Sequence, residues 1–373
     1  MFTNYVIRPL LAAILALCGF SACAAGTILI GQSAPLSGGN AEIGNDIRNG
    51  ALAYFQKVNL TGGVHGRKIE LLTLDDKNDR KLAGINAAKL IQEDQVTALF
   101  GFASATLSLD AIPHAAASKV VFFAPFTGAE VIQKQPANVF TVRASYENEL
   151  ENILGFWSAL GIGRVVVIHY DDEVGNQNYQ TVVNYMKKGN KQSISVKIQR
   201  NAAVGEATLD EIVNADPQVV VLTTLYGPAT AIIRGLHARN RPYLFTSLSF
   251  IGAAQFAKNA GNVARGVAVS SVVPLPTNLN IPVVRECNDA IKLIPGAQLN
   301  FTSLEACIAA KVLVEGMQRA AGQDVTRESL YKGLKSLGAY DAGGYVVNFG
   351  PVSRHGSKFV DLSVITKNGA FRN

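Results

Sequence analysis

The chain's 373 residues, 48% of them hydrophobic, exceed what one core usually serves and predict two domains. Its net charge of +6 is spread over scattered Lys and Arg, with no basic run beside aromatics. That pattern excludes a nucleic-acid footprint and makes the charge a matter of solubility.

Residues 1–25 read as a cleaved secretory signal. Arg8 supplies the positive start, residues 10–17 a short apolar run, and Ser21-Ala22-Cys23-Ala24-Ala25 a small-residue cleavage zone. The run is too short for a bilayer, which needs about 20 residues. Lipid attachment at Cys23 is the alternative, although Phe20 stands where an aliphatic residue is expected. No later stretch is long and apolar enough to span a membrane, so an exported, periplasmic, soluble chain is expected. Export leaves Cys287 and Cys307 in an oxidising compartment. Both stand in helical patterns, so they are candidates for a disulfide, with two buried free thiols as the alternative.

After the signal, an apolar strand (28–30) opens into the Pro35-Leu36-Ser37-Gly38 loop. Ile47, Ala51, Tyr54, Phe55 and Val58 then recur at helical spacing. A strand over 69–74, a helix over 81–94, a strand over 96–101, a helix over 108–118 and a strand over 120–123 follow. A second series alternates in the same way, with helices over 147–160, 178–188, 208–214 and 229–238. Its strands fall over 164–169, 193–198, 219–223 and 243–247. Short apolar strands separated by helices predict parallel sheets built from βαβ units. Beyond Ser249 the rhythm changes: an apolar segment (267–273), the extended Pro274-Leu275-Pro276, helices over 283–293, 303–321 and 327–337, and strands over 345–349 and 359–365.

The expected fold is therefore α/β, with two doubly wound parallel-sheet lobes. Lobe boundaries are expected at 26–142 plus 274–338 for the first and 143–273 plus 339–373 for the second. Ligands of open α/β sheets sit beyond the carboxyl ends of the strands, so two facing edges predict a cleft site.

Catalytic signatures are missing: the sequence has no G-x-S-x-G elbow, no Walker loop and no H-E-x-x-H. Its five histidines are dispersed, and Asp75, Asp76 and Asp79 read as a strand end and helix cap more readily than as a cation site. Neither an enzyme, a metal site nor a cofactor is expected.

Pro35-Leu36-Ser37-Gly38, the run Gly62-Gly63-Val64-His65-Gly66-Arg67-Lys68-Ile69-Glu70-Leu71 and Asp75-Asp76 resemble the leucine/isoleucine/valine-binding group. These are type I periplasmic solute-binding proteins of ABC transporters. Gly101-Phe102-Ala103-Ser104, Pro125-Phe126-Thr127-Gly128 and Arg143-Ala144-Ser145-Tyr146 extend the likeness over nearly all of the exported chain. The resemblance implies lobes joined by a three-segment hinge and capture of an amino acid or related small carboxylate or amide. The solute would pass to membrane permease subunits, with the receptor itself a monomer. A ligand sensor docking on a signalling partner is the alternative, and a periplasmic hydrolase a minor one.

By the same resemblance, Ser104, Ala105 and Thr106 would grip a carboxylate beside a helix N-terminus, with Phe126 and Thr127 adding a second hydroxyl and amides. Ser104 and Thr106 also suit plain helix capping, which uses the same geometry. Ile43 falls where the branched-chain receptors have a tyrosine. From the second lobe, Asp171 and the loop to Asn176, Tyr226 as a lid, and Ser249 are expected at the ligand. Tyr146 would either touch it or fill the hinge. At the Ser249 position the amino-acid receptors carry a glutamate that pairs with the ligand ammonium. Its loss implies either that residues 171–173 replace it or that the ligand has no α-amino group.

Overall fold

The computed structural model describes residues 26–200, 202–320, 322, 324–350 and 353–373. The expected signal segment, with Cys18 and Cys23, lies outside the described residues.

The first series runs β1 (Ile28–Ala34), α1 (Ala41–Leu60), β2 (Ile69–Asp75), α2 (Arg80–Gln92), β3 (Ala98–Phe100), α3 (Ala105–Ala117), β4 (Val121–Phe123), the short α4 (Glu130–Gln133) and β5 (Val139–Phe140). Its strands pair in parallel in the order β2-β1-β3-β4-β5. The second runs α5 (Tyr146–Ala159), β6 (Arg164–Tyr170), α6 (Glu173–Lys188), β7 (Gln192–Ile198), α7 (Glu206–Ala215), β8 (Val219–Thr223), α8 (Tyr226–Ala238), β9 (Leu244–Ser247), α9 (Ala253–Ala260) and β10 (Ala268–Ser271). The chain then supplies α10 (Pro282–Ile291), α11 (Phe301–Gln318) and α12 (Arg327–Lys335), a hairpin β11 (Gly338–Asp341) and β12 (Val346–Phe349), and finally β13 (Asp361–Ile365) and β14 (Phe371–Arg372). The second sheet has the order β14-β13-β10-β9-β8-β6-β7, parallel except that β13 runs antiparallel to both its neighbours, β10 and β14. The fold is the expected α/β one.

Strands covered by helices on both faces can be apolar at every position. Val165, Val166 and Val167 of β6 and Val219, Val220 and Val221 of β8 are all buried. Helices α10–α12 return to the first sheet, where Leu304, Ile308, Leu313 and Leu330 share a core with Ile28, Phe55, Phe100 and Phe123. Each such side chain contributes roughly 1.5–3 kcal/mol by leaving water. A disulfide joins Cys287 of α10 to Cys307 of α11, with the Cα atoms 6.1 Å apart.

The β11–β12 hairpin, assigned from sequence to the second lobe, packs against the core of the first sheet, to which Tyr345, Val347 and Phe349 belong. The Phe349 ring lies 5.3 Å from that of Phe140. Burial alternates along β12, with Val347 and Phe349 buried and Val346 and Asn348 exposed. Only β13 and β14 join the second sheet.

Two helices begin earlier than hydrophobic spacing suggests. Helix α3 starts at Ala105 because Ser104, in an extended conformation, accepts from the Leu107 amide at 3.2 Å. Helix α6 starts at Glu173 because Asp172 accepts from the Gly175 amide at 2.9 Å. A capping turn is polar, so apolar periodicity does not register it. Most of the loop expected over 171–176 is thus helix.

Candidate functional site

The carboxyl ends of β1, β3 and β4 in one sheet and of β6, β8 and β9 in the other converge on one cavity of about 350 Å³. Its volume is at the small end of the range usual for small-molecule sites, about 300–1,000 Å³.

On the first lobe's side, α3 points its N-terminal end at the cavity, and Ser104, Ala105 and Thr106 line it. Ser104 Oγ and Thr106 Oγ1 are hydrogen-bonded at 3.1 Å. The first amides of a helix have no intrahelical acceptor, so this turn offers donors as well as hydroxyls. The loop after β4 adds Phe126 and Thr127. Thr127 Oγ1 donates to Tyr146 Oη and accepts from the Ala129 amide, both at 3.2 Å. Gly128 permits this approach: a Cβ there would stand 2.8 Å from the Tyr146 ring and 2.9 Å from the Ala144 carbonyl oxygen. Burial raises the Tyr146 pKa, although Arg143 opposes the shift, so the phenol stays neutral and able to donate.

From the second lobe come Tyr170, Val174, Arg200, Leu225, Ser249 and Phe250. Tyr146 and Phe250 lie 5.4 Å apart, ring to ring. The Arg200 guanidinium lies 4.0 Å from the Tyr170 ring centroid, and its Nε bonds Asp172 at 2.5 Å.

Beneath the cavity lies a buried ionic cluster. Arg143 binds Glu149 at 3.0 Å and Glu305 at 3.2 Å, all three nearly or wholly buried. The Ser249 amide donates to Glu149 Oε2 at 2.7 Å and its hydroxyl to Oε1 at 2.9 Å, while Ser270 Oγ also donates to Glu149. Burial pushes the Glu305 carboxyl up to about 7, with Arg143 working against the shift and Glu149 reinforcing it. Burial alone would lower the Arg143 pKa, but the two carboxylates outweigh it and the pKa is raised. The guanidinium stays charged.

Of the residues expected at the ligand, Ile43, Ser104, Ala105, Thr106, Phe126, Thr127, Tyr146 and Ser249 line this cavity; Asp171 and Tyr226 do not. Asp171 turns outward and pairs with Lys197 at 2.8 Å. Tyr226 opens α8 and reaches across the cleft mouth, donating to the Gly39 carbonyl at 2.5 Å. It fastens one lobe to the other beside the cavity. Two neighbouring bonds do the same: Gln255 to Asp46 at 2.6 Å and Lys258 to Glu42 at 2.7 Å. The lobes are therefore closed on each other.

Sequence reading missed Tyr170, Arg200, Leu225 and Phe250. Each lies at or just beyond the carboxyl end of a strand, the signal that selected Ser104 and Ser249. Among the described residues, no group of three or more His, Cys, Asp or Glu is arranged to hold a metal ion, and no helix is long and apolar enough to cross a membrane.

A family model described as periplasmic binding protein matches residues 27–368. An amino acid binding protein of Pseudomonas aeruginosa is 24% identical over 247 residues, 65% of this chain and 66% of its own length. The Leu/Ile/Val-binding protein homolog 1 of Brucella suis is 24% identical over 337 residues, 88% of this chain and 87% of its own. A solved structure of a possible leucine/isoleucine/valine-binding protein from Rhodopirellula baltica superposes with a TM-score of 0.87 at 28% identity. That match covers 93% of this chain and 96% of the other.

Proposed function

The chain belongs to the periplasmic binding proteins of the leucine/isoleucine/valine-binding type, and we propose that it is the extracytoplasmic receptor of an ABC importer. In this reading, residues 1–25 direct export and are removed. One lobe comprises 26–142 and the returning segment from 274, with the β11–β12 hairpin; the other comprises 143–273 and the terminal strands. The solute bridges them, and its contacts with both stabilise the closed form over an open one. Closed lobes present a matched surface to the permease subunits.

The observation that carries this reading is the cavity of about 350 Å³ at the facing carboxyl ends of two sheets, with a helix N-terminus and hydroxyls on one wall and aromatic rings on the other. A carboxylate suits the first wall: Ser104 and Thr106 hydroxyls, the amides of Ala105 and Thr106, and the positive end of α3 stabilise negative charge. Thr127 holds the adjoining loop. Ile43, Phe126, Tyr146 and Phe250 cover an apolar body.

The test is a thermal-shift screen of the protein against amino acids, aromatic acids, short fatty and dicarboxylic acids and small amides. A ligand that binds only the folded state raises the melting temperature by mass action. The reading expects a concentration-dependent rise with at least one acid, recovered unaltered after incubation. Turnover would point instead to an enzyme. Loss of uptake of that acid on deleting the gene would separate transport from sensing.

A further inference from the structure

The cleft is rich in groups that favour an anion, and among the described residues its one lining carboxylate, Asp79, stands at the exposed rim. Glu149 lies nearest beneath the cavity floor, but Ser249 covers it and takes both of its oxygens, at 2.7 and 2.9 Å. Glu149 is wholly buried, and its charge already faces Arg143 at 3.0 Å. Among the residues that line the cavity, Asp79 alone carries a carboxylate. It sits on the exposed rim and caps α2, accepting from the Leu82 amide at 2.8 Å. Two guanidinium groups, Arg80 and Arg200, belong to the same lining, paired with Asp110 and Asp172 at 2.5 Å each.

An ammonium drawn into such a cavity loses its hydration and, away from Asp79 at the rim, meets no opposing charge, which is costly in an enclosed site. A carboxylate in the same place meets helix amides and hydroxyls. Building on the carboxylate reading above, we infer that the solute is an organic acid without an ammonium group. Its body is a ring or branched chain that packs against Phe126, Tyr146 and Phe250.

The experiment uses the intact protein and matched pairs that differ only in the amino group. The pairs are phenylalanine against 3-phenylpropanoate and leucine against 4-methylpentanoate, titrated by calorimetry with a parallel thermal-shift readout. The expected result is that the acid lacking the amine binds at least tenfold more tightly in the pair that fits. Equal or tighter binding of the amino acid overturns this inference and leaves the carboxylate reading standing. If neither member of either pair binds while the corresponding amides do, the carboxylate reading fails and takes the inference with it. Silence from every compound in both readouts overturns both.

Discussion

Ser249 gives its amide and its hydroxyl to the same carboxylate, that of Glu149, one hundred residues earlier in the chain. Through this pair the loop after β9 is fixed to the start of α5. Because α5 opens the second series just after Arg143, the floor of the cavity is tied to the start of that series.

Removing Glu149 strips Arg143 of one of its two carboxylates and leaves the Ser249 amide and the Ser270 hydroxyl without their acceptor. Glu149→Ala is expected to cost about 3–5 kcal/mol of stability, in line with broken buried ion pairs. Chemical denaturation measures it. A loss below about 1 kcal/mol would mean that the Arg143 contacts carry little.

The pH response of Glu305 has a definite sign. Its folded pKa, about 7, lies above its ordinary value of 4.5. Between those two values the folded state holds a proton that the unfolded chain releases, so this group makes the protein less stable as pH rises through that window. Below it the penalty vanishes; above it the penalty is full. Glu305→Gln should flatten the slope of stability against pH between about 5 and 7, as followed by melting temperature in a pH series.

Cys287 and Cys307 are 20 residues apart in sequence. Closing a loop of that size restricts the unfolded chain by about 3 kcal/mol. The double Cys→Ser variant should unfold at correspondingly lower denaturant. A thiol assay on residues 26–373, denatured without reductant, should find neither cysteine free.

Thr127→Ala removes the hydroxyl that joins Tyr146 and the Ala129 amide at 3.2 Å each. A neutral hydrogen bond contributes about 0.5–1.5 kcal/mol net. Affinity for the solute should fall roughly tenfold while the protein stays folded. Unchanged affinity in a calorimetric titration would remove Thr127 from the site.

Tyr226→Phe tests closure separately from recognition. It deletes the bond from Tyr226 to the Gly39 carbonyl, which spans the lobes. Affinity should weaken roughly three- to tenfold, the equivalent of one hydrogen bond, and small-angle scattering should show a larger open fraction at subsaturating solute. The melting temperature of the free protein should scarcely change if the open form dominates without ligand.

Local pattern carried the alternation of strands and helices, because short buried strands and amphipathic helices write their periods into neighbouring residues. Strand ends then directed attention to Ser104, Thr127 and Ser249, and all three line the cavity. The same rule did not choose between side chains that turn inward and outward at one strand end. Asp171 follows Tyr170 directly, yet Tyr170 lines the cavity and Asp171 faces Lys197.

The sequence by itself determined the α/β order, the two sheets and the edges where a solute would sit. Only the tertiary structure decided that Tyr226 fastens the lobes instead of covering the cavity. It also decided that Arg200 stacks on Tyr170, that the β11–β12 hairpin completes the first core, and that Glu149 is spoken for by Ser249. The reason is physical: a period of two or of 3.6 residues is a local property of backbone geometry. Which charges meet, and which apolar faces cover one another, depends on surfaces brought together from distant parts of the chain.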